Sequence, residues 1–393
     1  MKEGWEIKKF GVVCGFQGGS QPPKSQFIYE PKEGYVRFLQ IRDFASDKNI
    51  TYIPESKKNR YCKEDDILLG RYGASVGKVL VNKAGAYNVA VMKTIPDETV
   101  LSKPFLFLYL SSDDFQNRLA NVAARSAQNG FSKDDIFNFP IPLPPLPEQQ
   151  RIVFILDRAF AAIDKAKANA EQNLQNTKEL FESYLQGVFE NGDWELKTFD
   201  EVCEISSKLI DPKNPEYQDL IHIGAGNIES MTGQLSDLKT AKVENLISGK
   251  FLFDESMVLY SKIRPYLMKV VNCEFEGLCS ADIYPLIPFE KVISKNYLYH
   301  LLLSKEFTDY AIQGSQRAGM PKVNRKHLFA YRFKLPSIEV QRGIVRQLDS
   351  LRTETQKLEA VYQKKITDLD ELKKSILQKA FAGELETENA IVV

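Results

Sequence analysis

The chain is poor in the residues and patterns that would assign a protein of its size at a glance. Its five cysteines, Cys14, Cys62, Cys203, Cys273 and Cys279, are odd in number, and none forms a CxxC pair. A chain of 393 residues needs no covalent staples, so this usage points to a reducing compartment and away from a disulfide scaffold. The three histidines, His222, His300 and His327, are too scattered for a metal set. The longest strongly apolar runs, near 105–110 and 301–303, stop far short of the roughly 18 residues that span a bilayer. The opening Met-Lys-Glu-Gly-Trp-Glu carries no apolar signal region, so a soluble, cytoplasmic protein without membrane contact is expected. Excess charge is missing too: 52 Lys and Arg balance 52 Asp and Glu. That excludes a bulk polycation but leaves room for a local nucleic-acid surface.

Catalytic signatures are equally thin. Gly73-Ala74-Ser75-Val76-Gly77-Lys78-Val79 has three residues between its glycines where a phosphate loop has four, and Val where Ser or Thr must reach magnesium. Gly224-Ala225-Gly226 is a lone GxG and reads as a turn. No Asn-Pro-Pro-aromatic or Asp-Pro-Pro-aromatic stretch marks an amino-methyltransferase pocket, and Pro96-Asp97-Glu98 is not followed by a nuclease-type Glu-x-Lys. Cys273 and Cys279 read as small core fillers.

What is present is a repeat. Trp5-Glu6-Ile7-Lys8, with Phe10, Val13 and Cys14, returns as Trp194-Glu195-Leu196-Lys197, with Phe199, Val202 and Cys203, at an offset of 189. Leu68 to Val79 resembles Val258 to Val270, Phe105 to Phe107 resembles Tyr297 to Tyr299, and Gly130 and Lys133 align with Gly319 and Lys322 at the same offset of 189. Leu143-Pro144, Gln149 and Ile152-Val153 return as Leu335-Pro336, Gln341 and Ile344-Val345 at 192. An ordered series at nearly constant offset identifies a tandem duplication.

Each copy has two parts. Residues 1–145 and 190–337 hold short β-branched and aromatic runs broken by Gly, Pro, Asn and Asp, with one helix expected near 104–122 and another near 295–313. Residues 146–189 and 338–393 follow proline stops and carry a heptad rhythm. In the first the expected stripe is Leu156, Ala159, Ile163, Ala166, Ala170, Asn173, Thr177, Leu180 and Tyr184. In the second it is Leu348, Leu351, Thr355, Leu358, Tyr362, Ile366, Leu369, Leu372 and Ile376. The expected fold class is α+β: two mixed domains separated by two long helices that form an antiparallel coiled coil, related as a pseudo-twofold tandem repeat.

Charge splits unevenly along this plan. Residues 1–145 hold 20 basic and 16 acidic side chains, and residues 190–337 hold 18 and 20. Local clusters are more informative. Lys57, Lys58 and Arg60 surround Asn59; Arg71, Tyr72 and Lys78 occupy a Gly-rich loop, and Lys262, Arg264, Tyr266 and Lys269 its counterpart. Arg125, Gln128, Asn129 and Lys133 correspond to the acid-free stretch with Arg317, Lys322, Asn324 and Arg325. Arg, Lys, Asn and Gln are the side chains that pair with phosphates and base edges, so these are the candidate DNA contacts.

The stretch Leu143-Pro144-Pro145-Leu146-Pro147-Glu148-Gln149-Gln150-Arg151-Ile152-Val153 opens a long helix directly after a mixed domain. Together with the Trp-Glu-x-Lys-x-Phe opening and Gly130-Phe131-Ser132-Lys133-Asp134-Asp135-Ile136, it resembles the specificity subunits of type I restriction-modification systems. The resemblance covers essentially the whole chain. The second copy departs from it at Leu335-Pro336-Ser337-Ile338-Glu339-Val340-Gln341-Arg342.

The resemblance implies two target-recognition domains, each reading half of a bipartite, gapped double-stranded DNA site. The spacers would dock two modification (methyltransferase) subunits, and restriction and translocase subunits would join the complex. S-adenosylmethionine, ATP and magnesium are then expected in the partners, with no cofactor, metal or catalytic residue in this chain. Partner contacts are expected at Glu148, Gln149, Arg151, Gln341 and Arg342. Two other readings compete. A coiled-coil scaffold would show no salt-sensitive DNA binding. An autonomous DNA enzyme would need a cofactor or metal pocket that the sequence does not display.

Overall fold

A computed structural model describes residues 4–125, 129–190, 194–315 and 320–385. Its contacts divide the chain into two units, Met1–Ala170 with Lys364–Val393, and Glu171–Gln363. Both long helices are continuous: α1 runs Leu146–Glu190 and α2 runs Ile338–Ala382, each of 45 residues.

In the first unit, Cys14–Gly18, Val91–Pro96, Leu68–Gly70 and Val79–Leu80 form a four-stranded antiparallel sheet in that order. A second sheet orders Tyr52–Pro54, Tyr35–Leu39, Gly85–Tyr87 and Tyr61–Cys62, with one parallel pairing, Phe38 opposite Ala86. The ribbon of Glu6–Lys9 with Pro140–Leu143 leads into α1. The second unit repeats the plan. Cys203–Ile205, Ile283–Pro288, Val258–Ser261 and Val270–Asn272 form one sheet, a five-stranded sheet stands for the other, and Glu195–Thr198 pairs with Arg332–Leu335 ahead of α2.

The single helix expected in each domain is two helices, Lys103–Leu110 with Asp113–Ala123, and Lys295–Leu302 with Lys305–Gln313. The break has a local cause. The Ser112 and Ser304 hydroxyls accept the N–H of Phe115 and Phe307, so each serine caps a new helix instead of continuing the old one.

Each core includes the ends of the long helices. In the first unit Phe381 of α2 packs 5.2 Å from Phe105 and 5.9 Å from Tyr109, between ring centroids. In the second, Phe189 of α1 lies 5.4 Å from Tyr297. Within each unit the helix segments run antiparallel. Asp164 and Lys167 meet Lys373 and Asp370 at 2.7 and 2.6 Å in the first unit. In the second, the Tyr184 hydroxyl donates to Gln347 at 2.7 Å, while Arg352 stacks on Phe181.

The buried stripe departs from a strict heptad. Leu156, Ile163 and Ala170 are buried as expected, but Asn173, Leu180 and Tyr184 face solvent. Thr177 is buried as expected, while Leu174, Phe181 and Leu185 take the place of the three exposed positions. On α2, Leu358 and Leu372 are likewise exposed, and Leu377 and Ala380 are buried. A straight helix drifts by about 20° per heptad, so over several heptads its packed face moves to neighbouring positions.

Candidate nucleic-acid interface

The strongest local result is that each unit joins two of the expected loops. In the first, Tyr72 bridges Gly130, the Gly73 N–H donates to the Asn129 carbonyl at 2.9 Å, and the Phe131 N–H to the Arg71 carbonyl at 3.3 Å. In the second, Ile263 bridges Lys322, the Arg264 N–H donates to Pro321 at 2.9 Å, and the Val323 N–H to Lys262 at 2.8 Å. The two sets match bond for bond. They also correct the alignment read from sequence. Ser132 and Asn324 both cap the following short helix, Lys133–Phe137 and Arg325–Phe329, so this segment aligns at 192. Lys322 is therefore the counterpart of Gly130 and Arg325 that of Lys133. The close approach explains the glycine: a Cβ at Gly130 would stand 2.4 Å from the Tyr72 ring.

The expected DNA contacts divide by what their side chains already do. Lys57, Lys58 and Arg60 are exposed on the turn before Tyr61–Cys62. Lys78, Arg125, Asn129 and Lys133 are also exposed. Arg71 is a brace: its guanidinium donates to the Phe131 and Val89 carbonyls, each at 3.3 Å, and lies over Tyr72, which is itself half-buried. Lys269 donates to the Ala225 carbonyl at 2.6 Å. The Asn324 side chain accepts the His327 N–H at 2.8 Å, so it is a helix cap before it is a base reader. Lys262 and Lys322 are half-buried, and Arg264, Tyr266 and Arg325 are exposed. Burial, reinforced by the neighbouring charges of Lys322 and Arg325, holds the Lys262 ammonium below its usual pKa, against a weaker opposing pull from Asp282. Gln128 and Arg317 lie outside the described residues.

The expected partner contacts divide in the same way. Gln149 has no exposed surface. Its Oε1 accepts from the Ser102 N–H and hydroxyl at 2.9 and 3.1 Å, and its Nε2 donates to the Val100 and Pro144 carbonyls at 2.7 and 2.9 Å. Gln341, equally buried, accepts from Ser294 N–H and donates to Val292 and Pro336, all at 2.9 Å. These two glutamines latch each long helix onto its domain, and as placed they offer a partner nothing. Arg151, exposed and 3.7 Å from Glu148, and Arg342, also exposed, remain available on the surface. Sequence spacing picked out both glutamines as a repeated pair, but spacing alone does not distinguish a latch from a docking residue.

All five cysteines are buried and free. Burial pushes the Cys62 thiol up to about 11 and the Cys14 and Cys273 thiols up to about 12, so none is poised as a nucleophile. Among the described residues no group of three or more His, Cys, Asp or Glu is arranged to hold a metal, and no helix is long and apolar enough to cross a membrane.

The type I restriction modification DNA specificity domain family matches residues 2–174 and 191–368. The chain belongs to that family: it is a DNA sequence-recognition subunit and not itself the catalytic component. It is similar to the type I restriction enzyme EcoDI specificity subunit of Escherichia coli, at 29% identity over 81% of this chain and 78% of the relative. It is also similar to the MjaVIII specificity subunit of Methanocaldococcus jannaschii, at 23% identity over 98% and 94% of the two chains. Two solved structures share the fold. One, from work on complex assembly and conformational transition of the type I restriction-modification system, superposes with a TM-score of 0.79 at 19% identity, over 98% of this chain and 99% of the other. The HsdS subunit from Thermoanaerobacter tengcongensis superposes with a TM-score of 0.63 at 20% identity, over 98% of each chain. Specificity subunits of this family bind DNA and assemble with the other components of the restriction-modification complex.

Proposed function

We propose that the chain reads a bipartite double-stranded DNA site, one half with residues 1–145 and the other with 190–337, while 146–189 and 338–393 serve as spacers. The observation that carries this reading is the repeated bridge joining Tyr72 to Gly130 and Ile263 to Lys322, which sets two candidate loops side by side in each domain. Phosphate contacts from the exposed Lys and Arg would set register, and a few Arg, Lys, Asn or Gln side chains would read base edges. The loop sequences differ between the copies, so the half-sites differ. Arg151 and Arg342 are the surface contacts we assign to partner subunits: two methyltransferase subunits, with restriction and translocase subunits added. S-adenosylmethionine, ATP and magnesium belong to those partners, and the complex works on DNA in the cytoplasm.

A helix of 45 residues spans roughly 68 Å at about 1.5 Å per residue, so helix length would set the unread gap. The test is to shorten α1 and α2 together by matched whole turns and sequence the methylome. The expected result is a changed gap with both half-sites intact. Altered half-site bases at constant gap would refute the ruler.

A further inference from the structure

The turn after Val258–Ser261 runs from Lys262 to Lys269, and its counterpart in the first domain runs from Arg71 to Lys78, 191 residues earlier. The backbones agree at their least common feature. Gly73 and Gly77 hold left-handed φ values of 58° and 78°, and Arg264 and Met268 stand at the same two places with 50° and 48°. Glycine adopts this conformation freely, whereas a residue with a Cβ is strained in it. The turn is thus one that glycine makes without strain, yet the second domain places a guanidinium there. Backbone bonds to Pro321 and from Leu267 hold the turn, but the arginine side chain adds nothing to them: it is exposed and makes no ion pair or hydrogen bond among the described residues. At the matching Gly73 a Cβ would meet nothing within 4 Å, so a side chain leaves this point of the turn into open space.

The surroundings are cationic. Lys262 lies 4.8 Å above the Tyr284 ring, Lys322 is close enough to disfavour its charge, and Arg325 follows Asn324 on the bridged loop. None of the three forms an ion pair among the described residues, Asp282 included. The paired loops of the first domain hold no such cluster among the described residues. Its Arg71 is engaged by two carbonyls, its equivalents of Arg264 and Lys322 are Gly73 and Gly130, and Lys78, Lys133 and, at the start of the loop, Arg125 are its exposed basic side chains among the described residues of the paired loops.

We infer that Arg264, with Lys262, Lys322 and Arg325, forms a phosphodiester-binding site that the paired loops of the first domain lack, making the paired loops of the second domain the stronger phosphate contact of the two. The inference rests on the DNA-reading role proposed above. It runs against bulk charge, since residues 1–145 carry the basic excess and residues 190–337 do not.

The test uses the assembled specificity–modification complex, with DNA affinity measured against salt. Each phosphate contact removed should flatten the slope of log K against log salt by about 0.9. Arg264→Gly should flatten it by that amount while the melting temperature stays equal or rises, because strain is released. Arg325→Gln, at an exposed position, tests the cluster without touching the turn and should flatten the slope likewise. Arg264→Gly, Lys322→Gln and Arg325→Gln combined should flatten it more than Lys78→Gln with Lys133→Gln. Unchanged slopes, a larger loss from the first-domain pair, or a lower melting temperature for Arg264→Gly would overturn the inference. A wild-type complex with no salt-dependent DNA binding would instead overturn the DNA-reading role itself.

Discussion

Replacing Gln149 by leucine removes a side chain that has no exposed surface and binds three backbone groups, the Ser102 N–H and the Val100 and Pro144 carbonyls. Leucine is similar in size, so the loss is polar rather than volumetric. A net hydrogen bond contributes about 1 kcal/mol, and a buried polar group left unpaired costs about 1–3 kcal/mol. Some of the stranded groups will find water at the helix start, so the expected destabilisation is about 3 kcal/mol. For a unit of this size that lowers the melting temperature by roughly 6–12 °C. The assay is unfolding followed by tryptophan fluorescence. Trp5 lies in the first unit and Trp194 in the second, so a Trp194→Phe background reports the first unit alone. Gln341→Leu should cost a similar amount in a Trp5→Phe background, since it makes three equivalent bonds. The exposed neighbour Gln150→Ala is the control and should move stability by less than about 0.5 kcal/mol. A loss under about 1 kcal/mol for both glutamine variants would refute the latch.

Ser304→Ala removes the cap of Lys305–Gln313 and should cost about 1 kcal/mol by the same unfolding assay. Lys373→Ala breaks a partly exposed pair with Asp164 and should cost less than about 1 kcal/mol, a contrast that thermal unfolding resolves. Burial lowers the His222 pKa from 6.5 despite the Glu244 carboxylate at 2.6 Å. The neutral ring is thus favoured in the fold, and its contribution is complete above about pH 6.5 and lost as pH falls through the lowered folded value, at no more than about 1.4 kcal/mol per pH unit. His222→Gln should flatten that part of the stability–pH profile in chemical unfolding. The five buried thiols should react with a thiol reagent only on unfolding; rapid labelling of the native chain would contradict their burial.

The duplication, the two long helices and the mixed character of the domains were legible in the sequence because they rest on periodicity and on an ordered series of matches. The serine caps were not recovered as helix breaks: Ser112 precedes Asp113-Asp114 and Ser304 precedes Lys305-Glu306, but apolar residues resume at Phe115 and Phe307, so a helical pattern spans both. The heptad failed at Asn173, Leu180 and Tyr184, though it held at Thr177, for a geometric reason, the drift of a straight helix against a period of 3.5. At the candidate interface, composition found the loops but not their neighbours. That Arg71 braces two carbonyls and that Lys269 is tethered to Ala225 depend on contacts far apart in sequence, whereas Asn324 caps a helix through a contact only three residues on. The offset of 189 failed near Gly130 because a match of residue types there outweighed the register, which only the paired backbone reveals.

Single-molecule methylome sequencing of the host with and without this gene tests the central claim most directly. The account predicts that deletion removes one asymmetric, gapped adenine-methylation motif and that restoring the gene restores it. A methylome unchanged by deletion, in a host whose methyltransferase partners are expressed, would contradict it.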